Sequence, residues 1–230
     1  MQNRRMTVEM KVNPETEDSA DLYIFDAVGE KWLDNEKNIS TAKAFKKALD
    51  QAGNVKTLNI HVNSCGGYCD EGVAIYSMLK SHSAVKNAYV DGYACSIASL
   101  IVAACDKVHM SKPACMQIHN AITLAYGNAK ALRAQADTLD KITEGIKDAY
   151  LDRAGDKLTA EKLTELMDGK DGDGTMLTAK ECLQYGFCDV ITGAEDSGDS
   201  EIEPKPEPQN KAEPPTDRTN IINTFRAFML

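Results

Sequence analysis

The chain has 230 residues and a formal net charge of −9, with 43% hydrophobic and 27% charged residues. That length holds one domain with a proper core plus extensions, and the acidic balance argues against a nucleic-acid partner. No apolar run approaches the roughly 18 residues of a membrane span and no secretory leader is recognisable, so no membrane partner is expected and the seven cysteines should stay reduced.

In chain order, residues 1–18 are polar and expected to be a flexible N-terminus. The folded domain is expected over 19–192. Leu22-Tyr23-Ile24-Phe25 predicts a short strand, followed by a loop with the only tryptophan, Trp32. Ser40 is the expected cap of a helix in which Ala42, Phe45, Ala48 and Leu49 share a face and which Gly53 ends. Strand 57–62, a Gly-Gly turn, a helix from about Glu71 to Lys80, strand 85–90 and an uncharged helix from Ile97 then alternate. Such β-α-β-α order with short links predicts a parallel sheet with right-handed crossovers. Val108-His109-Met110 and Met116-Gln117-Ile118 add two strands. A long helix from Asn128 to Arg153 carries Leu132, Leu139, Ile142, Ile146 and Tyr150 on one stripe. Thr159 starts a further helix, and Thr178-Ala179-Lys180-Glu181 is a capping box for the last one, which stops at Gly186.

Composition changes at Gly193. Residues 193–220 form an acidic, Pro-rich linker: between Gly193 and Arg218 lie five of the chain's seven prolines, eight acidic residues and three basic ones. It is expected to be disordered. Residues 221–230 turn apolar again and read as a docking segment, a cleavable remnant or a chance apolar end.

Among the cysteines, Cys95, Cys105, Cys115 and Cys182 sit in apolar runs and read as small buried hydrophobes. Cys65 and Cys69 have no second pair to complete a metal site, so neither metal nor other cofactor is expected. The chemistry concentrates instead on Asp91-Gly92-Tyr93-Ala94-Cys95-Ser96-Ile97-Ala98-Ser99. Here Ser96 stands where a strand turns into a buried helix, beside the unpaired amides of a first helical turn. A nucleophile next to ready-made oxyanion donors suits acyl transfer.

Three motifs in order carry a family resemblance: Asn63-Ser64-Cys65-Gly66-Gly67 after a strand, Gly92-Tyr93-Ala94-Cys95-Ser96-Ile97-Ala98, and a strand ending Ile118-His119. Together with Tyr185-Gly186-Phe187-Cys188-Asp189 they resemble the ClpP-like serine peptidases, over roughly residues 20 to 192. The resemblance implies a crotonase-like spiral ββα fold in which residues 19–192 are the peptidase domain. The long helix would then be the handle through which subunits associate into ring-forming homo-oligomers. It also implies Ser96 as nucleophile, His119 as general base and acid, and the N–H groups of Gly67 and Ile97 as the oxyanion hole. Of the other histidines, His61 alternates with Leu58, Ile60 and Val62 and reads as structural, while His82 and His109 match no motif position. The third triad member is expected before Leu177-Thr178-Ala179; Asp173 is the choice and Asp171 the reserve, and a Ser-His dyad stays open. The variable acid loop, Cys65 in place of the family's proline and the acidic tail look most like the phage head-maturation branch. Its substrates would be capsid and scaffold proteins, and the tail itself, cleaved without ATP in the host cytoplasm. The alternatives are a housekeeping subunit working with an ATPase, a catalytically idle scaffold, and an acyl-CoA enzyme on the same spiral fold.

Overall fold

A computed structural model describes residues 10–12, 18–30, 39–170 and 172–193. Trp32, Asp171 and everything after Gly193, hence the expectations for the linker and the apolar end, lie outside them.

The first strands are β1 (Met10–Val12), β2 (Ser19–Ile24), β3 (Gly29–Glu30) and β4 (Ile39–Ser40). Helix α1 (Ala42–Ala52) follows, then β5 (Thr57–Ser64), α2 (Cys69–Ser81), β6 (Val85–Cys95) and α3 (Ile97–Ala103). Next come β7 (Lys107–Ser111), β8 (Cys115–Ile118), α4 (Ala129–Ala154), α5 (Ala160–Asp168), β9 (Thr175–Thr178), α6 (Ala179–Gln184) and β10 (Val190–Thr192). The cap of α1 is Thr41 rather than Ser40: Thr41 Oγ1 accepts the Ala44 N–H at 3.1 Å. Ser40 is unavailable because its backbone pairs with Gly29 in the β3–β4 ladder. The expected capping box is present, Thr178 and Glu181 each accepting the other's backbone N–H.

The main sheet runs β1-β2-β5-β6-β7-β10, parallel throughout except for the antiparallel edge strand β1. Strand β6 is longer than expected and forks its pairing. Its first half, Asn87 to Val90, pairs with β7, and its second half, Tyr93 to Cys95, pairs with β8, which carries β9 antiparallel. The fork turns the chain out of the flat sheet and brings the ends of β5, β6 and β8 together.

Alternation decides the faces. Ala20, Leu22, Ile24, Leu58, Ile60, Val62, Ala88, Val90, Val108 and Met110 share one core with Phe45 of α1, Ile75 and Leu79 of α2 and the whole of α3. On the opposite face Tyr23, His61, Tyr89 and His109 stack as a row across four strands, with ring centroids 4.7, 4.9 and 4.8 Å apart. His61 therefore does structural work there, as its alternation predicts. Cys95, Cys105, Cys182 and Cys188 are buried, whereas Cys115 is only partly so.

Helix α4 has 26 residues, about 39 Å at the usual rise. Its buried residues, Thr143, Ile146, Ala149, Tyr150 and Ala154, all lie in its second half. Leu132, on the expected apolar stripe, is 43% exposed because nothing in the described chain covers the first half.

Two histidines make stability pH-dependent. Burial, then Lys86, lowers the His82 pKa; burial, then Lys107, lowers that of His109 against an opposing Asp189. Each is protonated more readily unfolded than folded, so its contribution is complete above about pH 6.5 and shrinks as pH falls below that value. His82 Nδ1 also accepts the Ala84 N–H at 3.1 Å, a bond that requires the unprotonated nitrogen. Thermal melts from pH 8 to 5 should show a shallow decline below about 6.5. His82→Asn, which keeps an acceptor there, should flatten part of it.

Candidate active site

Three strand ends meet at the carboxyl edge of the sheet, the usual place for a site in a parallel sheet: the Gly66-Gly67 turn after β5, Ser96 after β6 and His119 after β8. Ser96 is the sole non-glycine with a positive φ among the described residues, at φ 54° and ψ −131°. Such a conformation costs on the order of 1–3 kcal/mol and persists where the surroundings over-determine it. Here the Ser96 N–H donates to Gln117 O at 2.9 Å, and Ser96 O accepts from Ser99 N–H at 3.0 Å and Ser99 Oγ at 2.5 Å. The turn leaves the Ser96 side chain half-buried at the head of α3 instead of inside the core. Cys95, next to it, is no competing nucleophile: burial, then Cys65, pushes its thiol up to about 11.

The Gly-Gly turn lies against this elbow. A Cβ on Gly66 would come within 2.6 Å of Ser96 Cβ and 2.7 Å of Cys95 O. Gly67, at φ 154°, bridges Val28 in parallel: Val28 N–H donates to Gly66 O and Tyr68 N–H to Val28 O, both at 2.8 Å. In a parallel bridge of this kind the middle residue's own N–H points away from the partner. Ile97, as the first residue of α3, has an amide with no intrahelical acceptor. Both expected oxyanion donors thus sit on backbone with an uncommitted N–H. Ser64 serves the turn, donating from Oγ to Asp26 O at 2.6 Å and accepting the Gly66 N–H at 3.1 Å.

His119 is half-buried, with Nδ1 2.6 Å from Asn120 O. If Nδ1 carries the proton to that carbonyl, Nε2 is left as the basic nitrogen. The loop is braced on both sides: Ala121 N–H donates to Thr143 Oγ1 of α4 at 3.0 Å, and Asn120 Nδ2 to Asp168 Oδ1 at the end of α5 at 2.7 Å. Gly174 presses on it so closely that a Cβ would lie 2.4 Å from His119 Cβ. Asp173 is exposed, its backbone O accepting from Gln117 Nε2 at 3.2 Å. No hydrogen bond joins its carboxylate to His119, or Ser96 to His119, among the described residues. Asp168 and Asn120, which sequence reasoning did not single out, are the polar pair tied directly to the histidine loop. Among the described residues no three His, Cys, Asp or Glu side chains group to hold a metal, and no helix is long and apolar enough to cross a membrane.

A strained serine, a glycine turn and a histidine thus stand at adjoining strand ends of a parallel α/β sheet. The Clp protease family model matches residues 34–195, and the chain belongs to that family. The family is one of serine peptidases that cleave polypeptides as oligomeric rings. Similar proteins include the ATP-dependent Clp protease proteolytic subunit 2 of Chlamydia pneumoniae, 26% identical over 145 residues, covering 62% of this chain and 68% of that one. The subunit of the same description from Chlamydia trachomatis serovar D is 25% identical over 150 residues, covering 64% and 71%.

Proposed function

We propose that this chain is an oligomeric serine endopeptidase in which Ser96 attacks a peptide carbonyl. His119 takes the serine proton and passes it to the leaving amine, and the N–H groups of Gly67 and Ile97 hold the oxyanion. Water then releases the acyl group by the same steps in reverse. The observation that carries the reading is the strained φ of Ser96, held by hydrogen bonds on both of its peptide groups. Asp173 is the proposed orienting acid, with Asp171 in reserve. Assembly through α4 is supported by its uncovered first half and by Ile122, Leu124 and Tyr126 before it, 51%, 85% and 103% exposed.

Two finer roles divide on whether an ATPase is required. The relatives' description as proteolytic subunits of an ATP-dependent protease favours a subunit of that kind. Cys65 in place of proline and the acidic stretch after Gly193 favour head maturation on capsid and scaffold proteins in a bacterial host. The test treats the assembled protein with a fluorophosphonate, maps the adduct and weighs the intact chain. The expected result is one adduct, on Ser96, with Asp173→Asn slowing labelling about tenfold or more and Asp168→Asn doing less. An unlabelled assembled wild type would sink the peptidase reading. Cleavage of a folded substrate or of the chain's own tail without ATP would select head maturation; dependence on ATP and an unfoldase would select the other role.

A further inference from the structure

We infer that Tyr150 and Ser99 form a buried strut that positions the nucleophile, an inference that rests on Ser96 being that nucleophile. Ser99 is 1% exposed and Tyr150 2%. Their hydroxyl oxygens are 2.6 Å apart, and Ser99 Oγ is 2.5 Å from Ser96 O. Proton counting fixes the direction. A carbonyl only accepts, so the single Ser99 hydroxyl proton goes to Ser96 O and the Tyr150 hydroxyl must donate to Ser99 Oγ. Burial pushes the Tyr150 phenol well up, so its proton is kept at any working pH.

A serine bonding back three residues within a helix is ordinary. Here the acceptor is the carbonyl of the one strained non-glycine among the described residues, and the serine is itself held by a phenol from a different helix. Tyr150 cannot wander, because its ring packs edge-on against Phe187 with centroids 5.5 Å apart. A peptide plane clamped this way sets both where Ser96 Oγ points and where the next amide, Ile97 N–H, points, since that N–H belongs to the same peptide unit as Ser96 O. One strut therefore orients the nucleophile and one oxyanion donor together. Tyr150 and Ser99 touch no substrate; they are positioning residues.

Three variants separate positioning from mere stability. Ser99→Ala strands the Tyr150 hydroxyl in an apolar interior and should cost stability. Tyr150→Phe with Ser99→Ala removes both polar groups and should recover most of that stability. Activity should not recover with it. Both proteins carrying Ser99→Ala should label with fluorophosphonate, and turn over peptide at saturation, roughly 10–100-fold slower than wild type, with KM within about twofold. Tyr150→Phe alone, which leaves the serine bond in place, should fall between. A double variant that labels at the wild-type rate, or rates that simply follow melting temperature across the series, would overturn the strut. Failure of the wild type to label Ser96 would remove the nucleophile itself and the proposal with it, a result the wild-type control reports separately.

Discussion

Ser96→Gly should melt higher than the wild type while losing peptidase activity by on the order of 10⁴-fold or more. Both effects come from one torsion. At φ 54° a residue with a Cβ is strained and glycine is not. The relief, on the order of 1–3 kcal/mol, exceeds the roughly 0.5–1 kcal/mol that glycine loses through its freer unfolded chain. The net gain is about 1 kcal/mol, or roughly 2–4 °C for a domain of this size. Ser96→Ala, which keeps the Cβ and its strain, should be equally inactive without that gain. Differential scanning calorimetry on the three proteins reads the outcome. A Ser96→Gly chain that melts lower would mean that the serine side chain holds the fold and is not poised for chemistry.

Gly67→Ala is the second large effect, and the reason differs from the one the motif alone suggests. A glycine in an oxyanion hole leaves the backbone open to the approach of substrate. In the structure a Cβ there would lie 2.0 Å from Val28 O and 2.8 Å from Val28 C, so it would strike the chain's own backbone. The bridge to Val28 must open, moving the turn and its N–H together. The expected result is a stability loss of about 2 kcal/mol or more and a fall in kcat of about 10²–10³-fold, the usual cost of losing one oxyanion donor. Gly53→Ala is the matched control. It has φ 66° with no atom near its Cβ, so it should cost only backbone strain, on the order of 1–3 kcal/mol, and leave kcat unchanged. A Gly67→Ala enzyme with wild-type kcat would release Gly67 from the site.

Much of the frame was legible from residues alone. The strand-helix alternation from Thr57 onward, the helix starts at Asn128, Thr159 and Thr178, and the strand-to-helix position of Ser96 all depend on neighbours within a few residues. Their signals are periodicity and side chains that bond nearby amides. Where local reading slipped, at Ser40, the missing fact was distant. The Ser40 backbone is taken by Gly29.

By itself, then, the sequence determined the strands β2, β5, β6, β7 and β8 and the helices α1 to α6, though not the short strands β1, β3, β4, β9 and β10, together with the order of the three motifs and the residue types at the ends of β5, β6 and β8. Those properties are written in local hydrogen-bonding and burial preferences. Only the tertiary structure decided that β6 forks between β7 and β8, that the turn at Gly67 is held by Val28, and that Asn120 reaches Asp168. It alone joined Tyr150 to Ser99 across 51 residues. Such pairings follow from how crossovers fold back on the sheet, and no spacing along the chain records them, because each joins groups whose separation in sequence is far longer than any turn or helix repeat.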